Sequence, residues 1–306
     1  MVPIPLVPTL VEHGTEEQKQ QFVRATLLGK ISWCQGYSEP GSGSDLASLR
    51  TRGVLEGDHW VVNGQKIWTS NADTSEWMFC LVRTEPDAPK HEGISYMLID
   101  MKTPGLTIRP LRQMTGDADF NEVFLDNVRV PAKNIVGKRG QGWVVSRSTL
   151  KHERAMIGSS VLSRRTLEGL IMLAQALNLR GKPAIQDPAI RNRIVELETK
   201  VLANDYHSYR MLTMQARNQD PGVAGLVAKL YGTTLGYDVT RLAMDLLGDR
   251  GMLAAGEPSA PAMGMFITAY MWSLGILIAG GTANIQRNVI AERGFGLPRD
   301  AAASRR

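Results

Sequence analysis

The sequence predicts an α+β multidomain chain: a short helical start, an antiparallel β-barrel or sandwich in the middle, and a C-terminal four-helix bundle. Three observations carry that expectation. Residues 11–29 pattern as one amphipathic helix. Residues 31–136 break into short runs rich in Val, Ile, Trp and Tyr, separated by Gly, Pro, Asn and Asp, which is the composition of strands and turns. From 137 to the end helical periodicity dominates, punctuated by Gly181, Pro183, Pro188, Pro221 and Gly248.

The first helix opens on polar Glu16, Glu17, Gln18 and Lys19, continues through Phe22, Val23, Ala25, Leu27 and Leu28, and meets a stop signal at Gly29. A lone amphipathic helix cannot bury its own face, so it must pack on a later part of the chain or on another subunit. In the middle stretch, Asn63-Gly64 lies between His59-Trp60-Val61-Val62 and Lys66-Ile67-Trp68, and Asn-Gly flanked by such runs predicts a hairpin turn there. Further strands are expected over 76–83, 94–99, 106–111 and 122–130, a spacing that suits a barrel or sandwich. Four long helical segments follow, over 142–178, 186–218, 222–247 and 261–293, and short connections between them argue a bundle.

A chain of 306 residues has room for two domains at ~150 residues each. Hydrophobic residues at 43% and charged residues at 21% exclude a disordered, collagen-like or disulfide-stapled chain. Lys plus Arg number 35 against 30 Asp plus Glu, a net charge of +5, with no long block of one sign. A basic stripe interleaved with aromatics, the footprint of nucleic-acid binders, is absent from the sequence. Cys34 and Cys80 have no CxxC partner and no His at metal spacing, so neither a disulfide framework nor a zinc site is expected and a reducing cytoplasm is the simplest location. Residues 1–10 hold three prolines and no basic residue, unlike a signal peptide. The longest apolar run, near 274–279, is far shorter than the ~20 residues of a membrane span, and none is expected.

No GxxxxGK[ST], no GxGxxG after a strand and no GxSxG elbow occurs, so P-loop, Rossmann and hydrolase sites find no support. The histidines His13, His59, His91, His152 and His207 have no motif context. Three other runs are informative. In Tyr37-Ser38-Glu39-Pro40-Gly41-Ser42-Gly43-Ser44-Asp45 the Pro-Gly and Ser-Gly pairs make tight turns with bare N–H groups, and Ser44 or Asp45 is placed to cap a short helix from Leu46. In Asn63-Gly64-Gln65-Lys66-Ile67-Trp68-Thr69-Ser70-Asn71 an aromatic wall is followed by hydrogen-bonding groups, a combination that suits a flat ring with a polar edge. In Ala279-Gly280-Gly281-Thr282-Ala283-Asn284-Ile285-Gln286-Arg287 two glycines break one helix before another starts at Thr282, and a helix N-terminus favours an anion or polar acceptor.

Taken together, in this order and spacing, the three runs resemble the acyl-CoA dehydrogenase family over essentially the whole chain. The resemblance implies domains over 1–30 (a remnant of the N-terminal helical domain), 31–136 (middle β domain) and 137–306 (helical bundle). It implies FAD as cofactor, an acyl-CoA substrate and an electron-transfer flavoprotein as acceptor. Tyr37, Ser38 and Gly36 would meet the flavin pyrimidine edge, Trp68 would lie against the isoalloxazine with Thr69 beside it, and Ser70 would bond near the reactive nitrogen. Gly43 and Ser44 would line the entry of the thioester, and Thr282 and Asn284 would reach the flavin nucleotide.

In most relatives the α-proton base directly precedes the Gly-Thr of the third run, where this chain has Gly280. Enzymes that resemble isovaleryl-CoA dehydrogenase take the base from the first bundle helix instead, and the matching position is Glu153. Independently, Leu150, Glu153, Ile157 and Val161 are spaced as one helical stripe, where desolvation would raise a carboxylate toward the range of a useful base. Leu150 and Arg154 are expected near substrate, and small residues Gly158, Ser159 and Ser160 suggest room for a bulky acyl group. Asp245 and Asp249 stand where relatives carry Gln and Gly at a cross-dimer cofactor contact, and Arg250 or Lys182 would have to offset their charge. The departures imply a mixed assembly with a paralogous subunit, resembling actinobacterial members that act on bulky CoA esters including sterol side chains. Two alternatives accompany this: a catalytically silent structural subunit, and an oxidase or monooxygenase of the same fold.

Overall fold

The computed structural model describes residues 5–219 and 221–298; the side chains of Arg154 and Ala155 lie outside that description. The chain divides into two compact units, Met1–Glu153 and Arg154–Arg306.

In the first unit, helices α1 (Leu6–His13), α2 (Glu16–Gln18) and α3 (Arg24–Leu27) are joined by a π turn over Lys19–Val23. The sequence suggested one helix over 11–29. The break falls at Gly14 because Thr15 caps the next turn: its hydroxyl accepts from Gln18 N–H while the Gln18 side chain accepts from Thr15 N–H.

Strands β1 (Trp33–Gly36), β2 (Arg52–Glu56), β3 (His59–Ser70), β4 (Trp77–Arg83), β5 (Ile94–Asp100), β6 (Leu106–Leu111), β7 (Phe120–Pro131) and β8 (Ile135–Val136) form one sheet. Its order is β6-β7-β3-β2-β4-β5-β8, with β1 pairing β4 in parallel and the long pairings antiparallel. Period-two alternation divides β4 and β5 between two cores. Phe79, Leu81, Tyr96 and Leu98 face a layer with Leu6, Leu10 and Phe22 of the N-terminal helices. Met78, Cys80, Val82, Met97 and Ile99 face the opposite core with Trp60, Val62, Val123 and Val128. A strand buried on both faces reads as a continuous apolar run, and Trp77-Met78-Phe79-Cys80-Leu81-Val82 is one.

The hairpin expected at Asn63-Gly64 is displaced. The chain turns at Gly57-Asp58, between paired Glu56 and His59, and Asn63-Gly64 sits inside the continuous strand β3 at a register shift against β7. Glycine is needed there for close approach: a Cβ on Gly64 would lie 2.4 Å from Thr51 Oγ1 and 2.7 Å from Thr51 Cα. A second shift lies between Lys66 and Thr69, and inside it Trp68 adopts φ +60°, a left-handed conformation that costs a bulky residue about 1–2 kcal/mol.

Helix α4 (Gly142–Ile157) carries the boundary between the units. The second unit holds α5 (Ser160–Ala176), the small hairpin of β9 (Asn178–Leu179) and β10 (Lys182–Pro183), and helices α6 (Pro188–Ala216), α7 (Gly222–Leu247), α8 (Met265–Ile278) and α9 (Ala283–Gly294). The expected single helix over 142–178 is broken at Gly158-Ser159, so Val161 leaves the stripe and is exposed. The reason is a close crossing. A Cβ on Gly158 would stand 2.4 Å from Ala228 O, and one on Gly232 would stand 2.7 Å from Gly158 O. The space expected for substrate beside Gly158 is therefore occupied by α7. Leu167 and Leu170 of α5, Leu197 and Val201 of α6, Leu235 and Leu242 of α7 and Phe266 of α8 form the bundle core.

Among the described residues, Pro261–Ile278 is the one helical stretch long and apolar enough, by length and composition, to cross a membrane. Thr268, Ser273 and Gly275 interrupt the run, which hid it in the sequence. It rests on α7 through Phe266 and through a 3.3 Å bond from Thr240 Oγ1 to Ser273 Oγ, and many of its residues are half-buried, with Met263, Met265, Trp272 and Ile278 exposed.

Glycine positions give a paired test in thermal melts. Gly64→Ala should cost about 1–3 kcal/mol by overpacking against Thr51. Gly169→Ala, where a Cβ meets nothing within 4 Å on helix α5, should gain about 0.5–1 kcal/mol.

Candidate functional site

The first two motif runs are held together by one buried ammonium. Lys66 is fully buried, and its Nζ donates to Glu39 Oε1 at 2.8 Å and to Tyr37 O at 3.2 Å. The neighbouring Ile67 N–H donates to Ser38 O at 2.9 Å. Three successive residues of the loop are thus fixed to two successive residues of β3. Glu39 also accepts from the N–H groups of Arg50 and Thr51 at 2.6 and 2.8 Å. Burial opposes its ionisation, but the Lys66 charge and these hydrogen bonds outweigh it and hold the carboxyl below its ordinary value.

The turn between them closes through reciprocal Glu39 and Ser42 backbone bonds of 3.0 Å. Ser42 Oγ donates to Asp45 O and Leu46 O. The expected cap at the Leu46–Ser48 turn is not a side-chain one: the Asp45 carboxylate instead accepts from Lys90 Nζ at 2.6 Å, and Ser44 is exposed beside it with Gly43.

Downstream of the clamp, Trp68 presents its indole outward, 60% exposed, with Phe120 edge-on at 6.1 Å. Thr69 is buried, its carbonyl accepting from Asn121 Nδ2 at 3.2 Å, while Thr69 Oγ1 and Asn121 Oδ1 have no hydrogen-bond partner among the described residues. Ser70 is exposed and Ser38 half-buried. An exposed indole beside unsatisfied buried oxygens is a wall with open hydrogen-bonding capacity.

Tyr37 is buried edge-on to Phe79 and Tyr96, at 5.8 and 6.2 Å. Burial pushes its phenol well up, with Tyr96 and Glu153 acting in the same direction. Tyr96 is likewise raised by burial. Tyr96 OH bonds Thr149 Oγ1 at 3.2 Å, and Thr149 Oγ1 bonds Thr9 Oγ1 at 2.9 Å. This chain of hydroxyls ties α1 and β5 to helix α4, one turn before Glu153. Leu150 packs against the adjacent core. Glu153 is half-buried, and Gln35 Nε2 donates to its Oε2 at 3.5 Å. Arg154 follows on the helix, its side chain outside the described residues. Sequence patterns pointed to Glu153 but not to Gln35, Lys66 or Thr149. The one available signal was polarity at positions where the alternation called for apolar residues.

In the second unit, Gly280 and Gly281 have φ of +63° and +101° and separate α8 from α9. Thr282 caps α9, its Oγ1 accepting from Ile285 N–H at 3.3 Å. Gln286, buried, donates to Gly280 O at 3.1 Å, and Lys229, fully buried on α7, donates to Leu277 O and Gly281 O at 3.1 and 2.8 Å. Asn284 is exposed and accepts from Arg287 at 3.3 Å. The counter-charge for Asp245 is neither Arg250 nor Lys182, the two that the sequence suggested: Arg193 bonds Asp245 Oδ2 at 2.6 Å.

Comparison with known proteins gives a consistent picture. The chain matches the models of the acyl-CoA dehydrogenase middle domain over residues 34–128 and of the acyl-CoA dehydrogenase C-terminal domain over residues 140–295. It is 42% identical over 299 residues to the acyl-CoA dehydrogenase IpdE1 of Mycobacterium tuberculosis, covering 97% of this chain and 74% of IpdE1. It is 41% identical over 292 residues to FadE34 of the same organism, covering 95% of this chain but 39% of FadE34. Among solved structures, the Tcur3481-Tcur3483 steroid ACAD superposes with a TM-score of 0.89 at 31% identity over 97% of this chain and 76% of that one. The ChsE4-ChsE5 complex from Mycobacterium tuberculosis gives a TM-score of 0.87 at 32% identity over 96% and 76%.

The Lys66 clamp has a measurable signature. Lys66→Met leaves Glu39 buried without its counter-charge and should cost about 3–5 kcal/mol, read as a lowered melting midpoint. Because the folded Glu39 titrates below its unfolded value, its stabilisation is complete above the ordinary carboxylate range near ~4.3 and disappears as pH falls through the lower folded value. Melting midpoints recorded from neutral to acid pH should therefore drop more steeply below about pH 4 for the native chain than for Glu39→Gln.

Proposed function

The chain belongs to the acyl-CoA dehydrogenase family, oxidoreductases acting on CH–CH groups, and from that premise we propose that it dehydrogenates the α,β bond of an acyl-CoA thioester with Glu153 as the α-proton base. The observation that carries this is the Gln35–Glu153 contact. Gln35 lies two residues before Tyr37, so the carboxylate of α4 stands at the strand that leads into the loop clamped against Trp68.

FAD is the cofactor the family implies, and the first unit fits it. The exposed Trp68 indole gives a ring a face to lie on, and the unsatisfied Thr69 Oγ1, with the hydroxyls of Ser38 and Ser70, gives a polar edge its partners. Tyr37, Ser38, Trp68, Thr69 and Ser70 would hold the flavin ring. Gly43 and Ser44 would meet the cofactor and substrate from the exposed turn, and Thr282 and Asn284 are the proposed cofactor contacts of the second unit. When bound, the flavin supplies the acceptor for the hydride that leaves the β carbon. In this reading Glu153 takes the α proton, a contribution of roughly 10²–10⁴ in rate for a positioned base; Leu150 would line the substrate beside it, and Arg154 is proposed as a substrate-binding residue from its place in the sequence alone.

Two similar structures are a steroid ACAD and the ChsE4-ChsE5 complex, which supports a bulky CoA ester as substrate and a paralogous subunit as partner. The exposed apolar side chains Met265, Trp272 and Ile278 of α8 would offer such a partner a face. Electrons would leave to an electron-transfer flavoprotein. Cys34 and Cys80 are buried free thiols, as a reducing cytoplasm would keep them. A second reading, a silent structural subunit, is favoured by Gly280 at the position where most relatives carry their base.

Glu153→Gln separates the two. In the assembled protein it should lower turnover of an acyl-CoA with an artificial acceptor by at least ~10²-fold at unchanged visible flavin absorbance; unchanged turnover sinks Glu153 as base and leaves the silent subunit. Trp68→Ala should lower flavin bound per chain while shifting stability by no more than ~0.5 kcal/mol, as expected for a side chain on the surface.

A further inference from the structure

Strand β1 places residues 33, 35 and 37 on one face. Trp33 and Tyr37 on that face belong to an aromatic core with Phe79 and Tyr96, yet the residue between them is Gln35. A carboxamide at such a position needs a partner for its N–H groups, and the partner is the Glu153 carboxylate at 3.5 Å, the long end of a hydrogen bond. Building on the reading of Glu153 as base, we propose that Gln35 is a positioning residue: its side-chain N–H donates to Glu153 Oε2 and holds the carboxylate aimed and ionised for proton abstraction.

The chemistry favours an amide in that role. An Arg or Lys would stabilise the carboxylate strongly and leave a poor base, whereas a neutral donor orients it while stabilising it less. Other described groups lie near Glu153 as well. Tyr37 and Tyr96, facing it from the β layer, have phenols raised by burial and stay neutral. On its own helix, Lys151 is exposed, and His152 is directed to Glu12 of α1 at 4.0 Å and lowered chiefly by burial. The hydroxyl chain Thr9–Thr149–Tyr96 holds the helix, and Gln35 holds the carboxylate on it.

The test uses the assembled flavoprotein with Gln35→Met, an apolar replacement of similar size, and Gln35→Glu, a nearly isosteric one that removes the donor and adds like charge. A donor to the ionised form lowers a carboxyl pKa, so its removal raises it. The acid limb of kcat should move up by about 0.5–1 pH unit in Gln35→Met and further in Gln35→Glu. kcat at neutral pH should fall about 5–30-fold, with KM changed less than about twofold. Melting midpoint and bound flavin report that the variants fold. An unmoved acid limb and near-native kcat in both variants, alongside an inactive Glu153→Gln, would overturn the positioning role alone. Activity retained by Glu153→Gln would overturn both this role and the base on which it rests.

Discussion

The ammonium of Lys66 is the interaction on which the first unit's candidate site depends. Desolvating a charge is costly unless geometry and hydrogen bonding repay it, and here one Nζ meets Glu39 and the Tyr37 carbonyl together. The same Glu39 accepts two backbone N–H groups from the segment that enters β2. A single buried pair therefore sets the distance between the loop that follows β1 and the bulge of β3. Without it, Tyr37, Ser38 and Trp68 would still occur in the sequence, but only the Ile67–Ser38 backbone bond would tie the loop to β3.

The strain at Trp68 becomes intelligible from there. A β-strand running straight through Lys66 to Ser70 would turn the indole toward one of the packed faces. The bulge inserts an extra residue and re-aims the side chain, at the cost of a left-handed backbone. The ladder with β7 resumes at Thr69↔Asn121, so the disturbance is confined between two regular stretches that can hold it.

Much of this was legible in the sequence, and the boundary of legibility is physical. The order of strands and helices, the break at Gly280-Gly281 and the Thr282 cap follow from period and composition. The hairpin at Asn63-Gly64 did not form because Asn-Gly also suits a bulge, and the β2–β3 turn falls at Gly57-Asp58 instead. The helix over 142–178 read as continuous because nothing local reveals that Gly158 is needed for its crossing with Gly232. Lys66, Lys229 and Gln35 were invisible for another reason. A buried polar residue is explained by a partner dozens of positions away, and the spacing of neighbours says nothing about it. Glu153 could be singled out as a candidate because helical period and family resemblance pointed to the same residue.

The Gly280-Gly281 turn bears on how such a chain can change over evolutionary time. The family resemblance puts the base of most relatives at the position of residue 280, so a carboxylate in that place would begin with a side chain at this residue. Here that residue has φ +63°, its Cβ would stand 2.9 Å from Ile157 Cδ1, and Lys229 Cε lies 3.9 Å away. The backbone and the Ile157 side chain would both have to yield before a carboxylate there gained anything, whereas Lys229 is at ordinary contact distance. A side chain at residue 280 is therefore not a neutral first step: the turn between α8 and α9 holds this position to glycine by backbone conformation and by contact at once.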